Sequence, residues 1–426
     1  MKIKTKELSY QQVMALPKGQ RRRPIRPSRL LNLVVQAAAT PDLLATKFTY
    51  TKEGMEKIGK EPALILMNHS CFVDLMIAAR VFFPRRHAIV CTSDGIIGKN
   101  LLMHFLGCIP TQKFVSDVSL IRDMEYMLKE KRTSVLMYPE ASYSFDGTAT
   151  PLPRKMGVLL KKLGVPVVTV ITEGAFTRQP LYNNLRKRKV KVSAKVKCLL
   201  TAQEIKEKTV RELDEILDEA FTFDHFAWQR DNGIEISDPD RAEGLHRILY
   251  KCPHCGAEGK TEGKGTELTC HSCGKVWEMD LLGQMQAKDG ETEFSHIPGW
   301  YAWQRQQVRQ ALEDGSYSLE TDVDIAMQVD YKAIYKVGSG HLSHSTEGFC
   351  LTGCDGALAY TQGPLACYGL YADYFWYSIG DMICVGNADA LYYCFPKDDT
   401  PVAKTRLAVE ELYKLKKVRR KQPETV

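Results

Sequence analysis

The sequence predicts an α/β fold built on a mixed sheet, followed by a small cysteine-bound ribbon and a β-rich C-terminal module. Three observations predict it. Between residues 63 and 200, short apolar runs alternate with stretches of helical periodicity, the pattern of strands and helices packed in layers. Residues 252–273 hold two Cys-x2-Cys pairs. Residues 300–418 are rich in Tyr, Gly and Cys and break into short β-like runs before one last helix.

The elements follow in order. The run 63–67 reads as a buried strand and 71–82 as the helix after it. Strand 87–92 is followed by helical spacing over 99–106 and 118–129. Strand 134–138 stops at Pro139, and the helical stretch 154–163 ends at Gly164, a C-cap residue. Strands 165–171 and 190–200 are rich in β-branched residues, and a charged amphipathic helix over 204–220 is expected to close the unit. Residues 281–300 read as a linker. Beyond them, strands are expected at 375–378, 382–385 and 390–395, with a helix over 402–415. The expected organisation is a basic segment 1–32, an α/β unit 33–225, a ribbon 246–282 and a β-rich module 300–418. The last is compared to a small lipid- or protein-binding domain of the pleckstrin-homology type, on its short strands and terminal helix and on no motif.

Composition narrows the class. Of 426 residues, 44% are hydrophobic and 26% charged, the balance of a globular chain with real cores. No run of about 18 apolar residues could span a bilayer, and no apolar run of signal-peptide type follows the basic N-terminus. The net charge of +7 is local: residues 1–32 carry nine Lys or Arg against one acid, Glu7, so the remainder is slightly acidic. Such a patch suits an anionic membrane surface; a solvated tail is the plainer alternative. Nine of the thirteen cysteines lie mostly in apolar contexts and read as reduced and buried.

Four blocks carry chemistry. Asn68-His69-Ser70-Cys71-Phe72-Val73-Asp74 begins where a strand ends, the edge at which ligands bind in open α/β sheets. His69 suits a general base near neutral pH, and Asp74, in the first turns of the helix, can hold its imidazole. Gly107-Cys108-Ile109-Pro110-Thr111-Gln112-Lys113 ends in a cation able to neutralise a phosphate. Tyr138-Pro139-Glu140-Ala141-Ser142 places a carboxylate at another strand end. Val165-Pro166-Val167-Val168-Thr169-Val170 is a buried strand.

In order and spacing these blocks resemble the glycerolipid acyltransferases typified by lysophosphatidate acyltransferase (1-acyl-sn-glycerol-3-phosphate acyltransferase), over about residues 30–220. Lys155-Met156-Gly157 is similar to that family's Lys before Gly. The resemblance implies an acyltransferase layer fold with His69 and Asp74 catalytic, and with Lys113, Glu140, Lys155 and Gly107 binding the glycerol phosphate of a lysophospholipid acceptor. It implies direct transfer from an acyl thioester, of coenzyme A or of acyl carrier protein, with Cys71 as the rival nucleophile. Three departures stand out. The family's phosphate-reading Arg is Lys113, its Gly after Pro-Glu is Ala141, and its Arg three residues after that Glu is Tyr143.

Cys252-x2-Cys255-x14-Cys270-x2-Cys273 supplies four thiolates for one structural zinc, with Gly256 and Gly274 turning each knuckle. The segment 260–264 lacks aromatic-basic interleaving, so no nucleic acid is expected as a partner. Residues 29–48 set Leu30, Leu31, Leu33, Val34, Val35, Leu43 and Leu44 beside the basic cluster, as an interfacial helix would. The expected protein is cytoplasmic, peripheral on the inner face of the cell membrane. The alternative is a regulatory or nucleic-acid-binding zinc-ribbon protein with an inactive acyltransferase fold.

Overall fold

The computed structural model describes residues 2–115, 117–153 and 155–421. A seven-stranded sheet centres the first half, in the order Thr49–Glu53, Ser193–Leu200, Val167–Glu173, Leu64–Met67, Ser134–Met137, His87–Thr92, Cys108–Thr111. Neighbours run parallel except at Val167–Glu173 beside Ser193–Leu200, so the sheet is mixed. Strand Leu64–Met67 is apolar throughout because both of its faces are covered. Ile65 and Met67 pack with Ala39, Ile77 and Val81 of helices Arg29–Ala45 and Val73–Phe82. Leu64 and Leu66, pointing the other way, meet Met124, Leu160 and Leu213.

Several boundaries differ from expectation for local reasons. The helix expected from 71 starts at Val73, because the Ser70 and Cys71 N–H groups go to the Asp74 side chain. The stretch 118–129 is an α-helix, Val118–Glu125, that widens into one π turn, Tyr126–Glu130. The strand expected from 190 begins at Ser193. Helix Met156–Leu163 ends at Gly164 as expected, while position 154 lies outside the described residues. The expected helix 204–220 is two helices, Ala202–Glu207 and Val210–Ala220. Each starts with its own capping box, Thr201 with Glu204 and Thr209 with Glu212. Nor does the second close the unit, since helix His225–Asp231 follows it back toward the sheet.

The expected linker 281–300 is structured. Strand Met285–Ala287 pairs with Val276–Met279 and completes a four-stranded antiparallel ribbon sheet, and helix Ile297–Glu313 follows. The C-terminal module has seven antiparallel strands: Leu319–Gln328, Ile334–Ser345, Gly348–Gly353, Leu358–Gln362, Tyr371–Trp376, Gly380–Gly386 and Leu391–Pro396. The first lies between the second and the seventh. Helix Val402–Lys421, longer than expected, packs on Ile297–Glu313.

The basic segment is not a free tail. Strand Thr5–Glu7 pairs in parallel with Ile334–Lys336 of the C-terminal sheet. Arg21 forms ion pairs with Asp117 (2.6 Å) and Asp123 (2.7 Å), Arg26 donates to Thr133 Oγ1 (3.0 Å), and the Arg23 guanidinium lies 3.7 Å over the Tyr126 ring. One apolar core joins the ribbon and the C-terminal module to the α/β unit: Phe145, Phe176 and Phe226 of the α/β region share it with Trp277 and Met279 of the ribbon and with Tyr374 and Leu407 beyond.

Candidate active site

Asn68 closes strand Leu64–Met67 and is fully buried. Its Oδ1 accepts from the Thr172 N–H (2.8 Å) and hydroxyl (3.1 Å), and its Nδ2 donates to the Thr172 carbonyl (3.3 Å). This clamp fixes the ends of two neighbouring strands, and the chain leaves it directly into His69.

His69 Nδ1 lies 3.0 Å from Asp74 Oδ2. A carboxylate only accepts, so Nδ1 carries the proton and Nε2 is left as the basic nitrogen. The same oxygen receives the N–H groups of Ser70 (2.6 Å) and Cys71 (3.0 Å), in the first helical turn where backbone dipoles favour negative charge. The imidazole stacks on Tyr138 (ring centroids 3.8 Å) and is flanked by Tyr143 (4.3 Å). Burial lowers its pKa, Asp74 opposes the fall, and Lys113 adds to it.

Cys71 is poorly placed to act as a nucleophile: it is fully buried, its Sγ donates to the Ala175 carbonyl (3.2 Å), and burial pushes the thiol pKa well up, which disfavours the reactive thiolate. Ser70 is buried too, its Oγ 3.3 Å from His225 Nε2.

The other expected site residues separate. Lys113 comes near His69: it is deeply set, partly open to solvent, with Nζ 3.9 Å over the Tyr371 ring. Burial lowers its pKa, opposed by Asp373 and Asp94. Glu140 is fully buried, and both of its oxygens are occupied by backbone: Oε2 accepts from His69 N–H (3.1 Å), Oε1 from Thr150 N–H (2.7 Å). It therefore ties the His69 loop to the Thr150 segment, and burial raises its pKa to about 7. Gly107 serves packing. At φ 80° a Cβ there would lie 2.5 Å from Pro27 Cγ, so a glycine is needed where two segments of the chain approach closely, a packing role besides the substrate binding expected of it. Lys155 is exposed at the start of helix Met156–Leu163 with φ 77°, and no contact joins it to His69 among the described residues. Ala141, where the resembled family has Gly, takes the left-handed conformation that glycine favours, φ 58°.

The C-terminal module supplies neighbours that sequence reasoning missed. The Arg406 guanidinium packs 4.2 Å over the Phe145 ring and reaches the Tyr143 carbonyl (3.4 Å) and Thr150 Oγ1 (3.3 Å). Asp373 interacts electrostatically with Lys113, and burial pushes its carboxyl up to about 7. No local pattern marks either residue. The only sequence signal was the missing Arg at position 143, which left a cation to be found elsewhere.

Residues 49–173 match the family model Acyltransferase. That stretch contains His69, Asp74, Lys113 and Glu140, so the resemblance to glycerolipid acyltransferases holds where the expected site residues sit. Among solved structures, the chain is similar to the 1-acyl-sn-glycerophosphate acyltransferase PlsC of Thermotoga maritima, at 19% identity over 45% of this chain and 76% of that one, with a TM-score of 0.37. No curated protein matches the chain.

The four cysteines of the ribbon do come together, all Sγ atoms within 4.8 Å of one another. Cys252 to Cys273 and Cys255 to Cys270 measure 3.8 Å. Tetrahedral zinc–sulfur bonds of about 2.3 Å set sulfurs about 3.8 Å apart, so the cluster fits such an ion. Gly256 and Gly274 both have φ 77°, the knuckle turn. His254 and His271 point to Glu293 (3.3 Å) and Glu262 (2.9 Å) and are not part of the cluster.

Proposed function

We propose that the protein moves a fatty acyl group from an acyl thioester to the free hydroxyl of a lysophospholipid in phospholipid synthesis, with 1-acyl-glycerol-3-phosphate as the acceptor the motif order points to. The observation that carries this is the 3.0 Å contact of His69 Nδ1 with Asp74 at the C-terminal edge of a sheet within the family-matched stretch. The acceptor hydroxyl gives its proton to His69 Nε2 as its oxygen attacks the thioester carbonyl. A C–O bond forms, the C–S bond breaks, and the proton passes to the departing thiolate. Asp74 stabilises the imidazolium, as in other base–carboxylate pairs. Glu140 positions His69, and Lys113 meets the acceptor phosphate. Coenzyme A and acyl carrier protein present the same thioester, and both are candidate donors.

The acceptor resides in a bilayer, so the site must reach one. Helix Arg29–Ala45 buries Gln36, Ala39 and Leu43 but leaves Leu30 (71%), Leu33 and Val34 exposed. Helix Asn100–Phe105 exposes Leu101, Leu102 and Phe105, and the Ser28 N–H donates to the Phe105 carbonyl (2.9 Å), joining the two. Among the described residues no helix is long and apolar enough to cross a membrane. This apolar patch supports peripheral attachment, on the cytoplasmic face in our reading, better than the basic segment does, because Arg21, Arg23 and Arg26 are engaged within the fold. The cysteine cluster is read as a structural zinc site with all four ligands from the chain. The alternative of an inactive, nucleic-acid-binding ribbon protein gains nothing from a base and its carboxylate held in hydrogen-bond contact.

The test is lipid mass spectrometry after incubating the protein with acyl-coenzyme A or acyl carrier protein thioester and vesicles containing lysophospholipids. Donor-dependent gain of one acyl chain on a lysolipid is expected. Thioester turnover without any diacyl product contradicts the reading.

A further inference from the structure

The C-terminal module grips the two loops that border His69. On the first, the Lys113 ammonium lies over Tyr371, Phe114 meets Tyr368 edge to face (5.3 Å), and the Cys367 thiol donates to the Phe114 carbonyl. Gly369 comes so close that a Cβ there would sit 2.6 Å from the Phe114 ring. On the second, Tyr374 packs on Phe145 (4.8 Å), and Arg406 reaches Tyr143 and Thr150. Behind Lys113, buried Asp94 accepts from the Tyr371 hydroxyl (2.8 Å) and from Trp376 Nε1 (3.2 Å), which locks strand Tyr371–Trp376 against the α/β unit.

Residues two apart on a strand share a face. Tyr371 lies under Lys113, so Asp373 is directed to the same side. The interaction of Lys113 with Asp373 is attractive, yet among the described residues the two form no ion pair. His69, Lys113, Tyr143 and Asp373 all keep partial access to solvent, while Tyr371, Tyr374 and Trp376 around them are buried. These residues lie together on the side of His69, a cation from the α/β unit and a carboxylate from the C-terminal module among them.

We propose that the C-terminal module forms one side of the acceptor crevice and that Asp373 selects a lysophospholipid with a zwitterionic headgroup, its phosphodiester toward Lys113 and its ammonium toward Asp373. This rests on the acyltransferase reading and replaces the acceptor that motif order alone points to, 1-acyl-glycerol-3-phosphate, with a zwitterionic lysophospholipid. A phosphate monoester carries about −1.5 to −2 charges near neutral pH. Placed at Lys113 it must also face Asp373 and Asp94, a repulsive element of the kind that sets specificity. A zwitterion presents one charge to each wall and meets no such opposition.

The test compares acceptor kinetics of the full chain at about pH 8, above the value of about 7 to which burial pushes the Asp373 carboxyl, with lysophosphatidylethanolamine and lysophosphatidate, for wild type and Asp373→Asn. The substitution removes charge and keeps the oxygen that accepts the Tyr374 N–H (2.9 Å), so the fold should persist, which the melting midpoint checks. The wild type should favour lysophosphatidylethanolamine by about tenfold in kcat/KM, and Asp373→Asn should raise its KM about tenfold while lowering that for lysophosphatidate. Asp373→Lys should invert the preference. A wild type that favours lysophosphatidate, or a variant that moves both acceptors alike, overturns the proposal and leaves the acyltransferase reading intact. If neither these acceptors nor any other lysolipid is acylated, both are overturned.

Discussion

His69 takes up a proton only while it is neutral. Burial and the Lys113 charge hold its pKa below the ordinary 6.5, so the basic form prevails at neutral pH. The protonated form is inactive, and activity is lost as pH falls through the depressed value. The acid limb of kcat/KM should therefore lie below pH 6.5, and Lys113→Met should move it upward by removing one lowering influence. A wild-type limb above pH 7 contradicts the burial that the geometry gives. Glu140 offers a second test at this scale. Because its oxygens hold the His69 and Thr150 N–H groups, Glu140→Gln leaves one of those donors without an acceptor. The expected result is a fall in kcat of about tenfold or more with little change in acceptor KM. A raised KM with kcat intact would return Glu140 to headgroup binding. The pair His69 and Asp74 was legible because five residues and one strand end fix their meeting. The role of Glu140 was not, because whether a carboxylate at a strand end faces ligand or backbone depends on burial, which spacing alone does not report.

At the scale of elements, Gly107 is where the N-terminal strap crosses the sheet edge. Gly107→Ala must place a methyl group against Pro27 and hold an L-residue at φ 80°. A loss of about 2 kcal/mol or more in folding stability is expected by denaturant melt; a wild-type midpoint would mean the strap is not seated there. The strands Leu64–Met67, His87–Thr92, Ser134–Met137, Val167–Glu173 and Ser193–Leu200 were legible from their apolar runs, with ends shifted by a few residues, whereas the four strands between Leu319 and Gln362 were not singled out and the one expected at 375–378 runs over Tyr371–Trp376. The split at residues 208–209 was signalled by Thr209 and Glu212, a second capping box inside a stretch that periodicity alone reads as one helix. The strand Met285–Ala287 carried no comparable signal, since three residues are too few for alternation and its pairing with Val276–Met279 decides it. The internal pairing of the basic segment was not legible for a related reason: a run of cations looks alike whether it is solvated or, like Arg21, set between two aspartates far away in sequence.

Across the whole molecule, the α/β unit, ribbon and C-terminal module share one apolar core. A chain ended near residue 235 would expose Phe145, Phe176 and Phe226, and should aggregate or lack a cooperative melt, checked by light scattering and calorimetry. Removing the metal should act through the same core, since Cys252 and Cys270 are buried in it. Metal analysis should give about one zinc per chain, and Cys252→Ser with Cys270→Ser should lose it and melt earlier. Long-range docking explains why Asp373 and Arg406 could not be placed beside the site from the sequence: both lie more than 200 residues beyond Glu140. The central claim is that His69 is the base of an acyl transfer, and the most direct test is acylated-lysolipid formation by folded His69→Ala beside wild type, at matched zinc content and melting midpoint. The account predicts a rate lower by about 10²–10⁴-fold; wild-type turnover by the folded variant would contradict it.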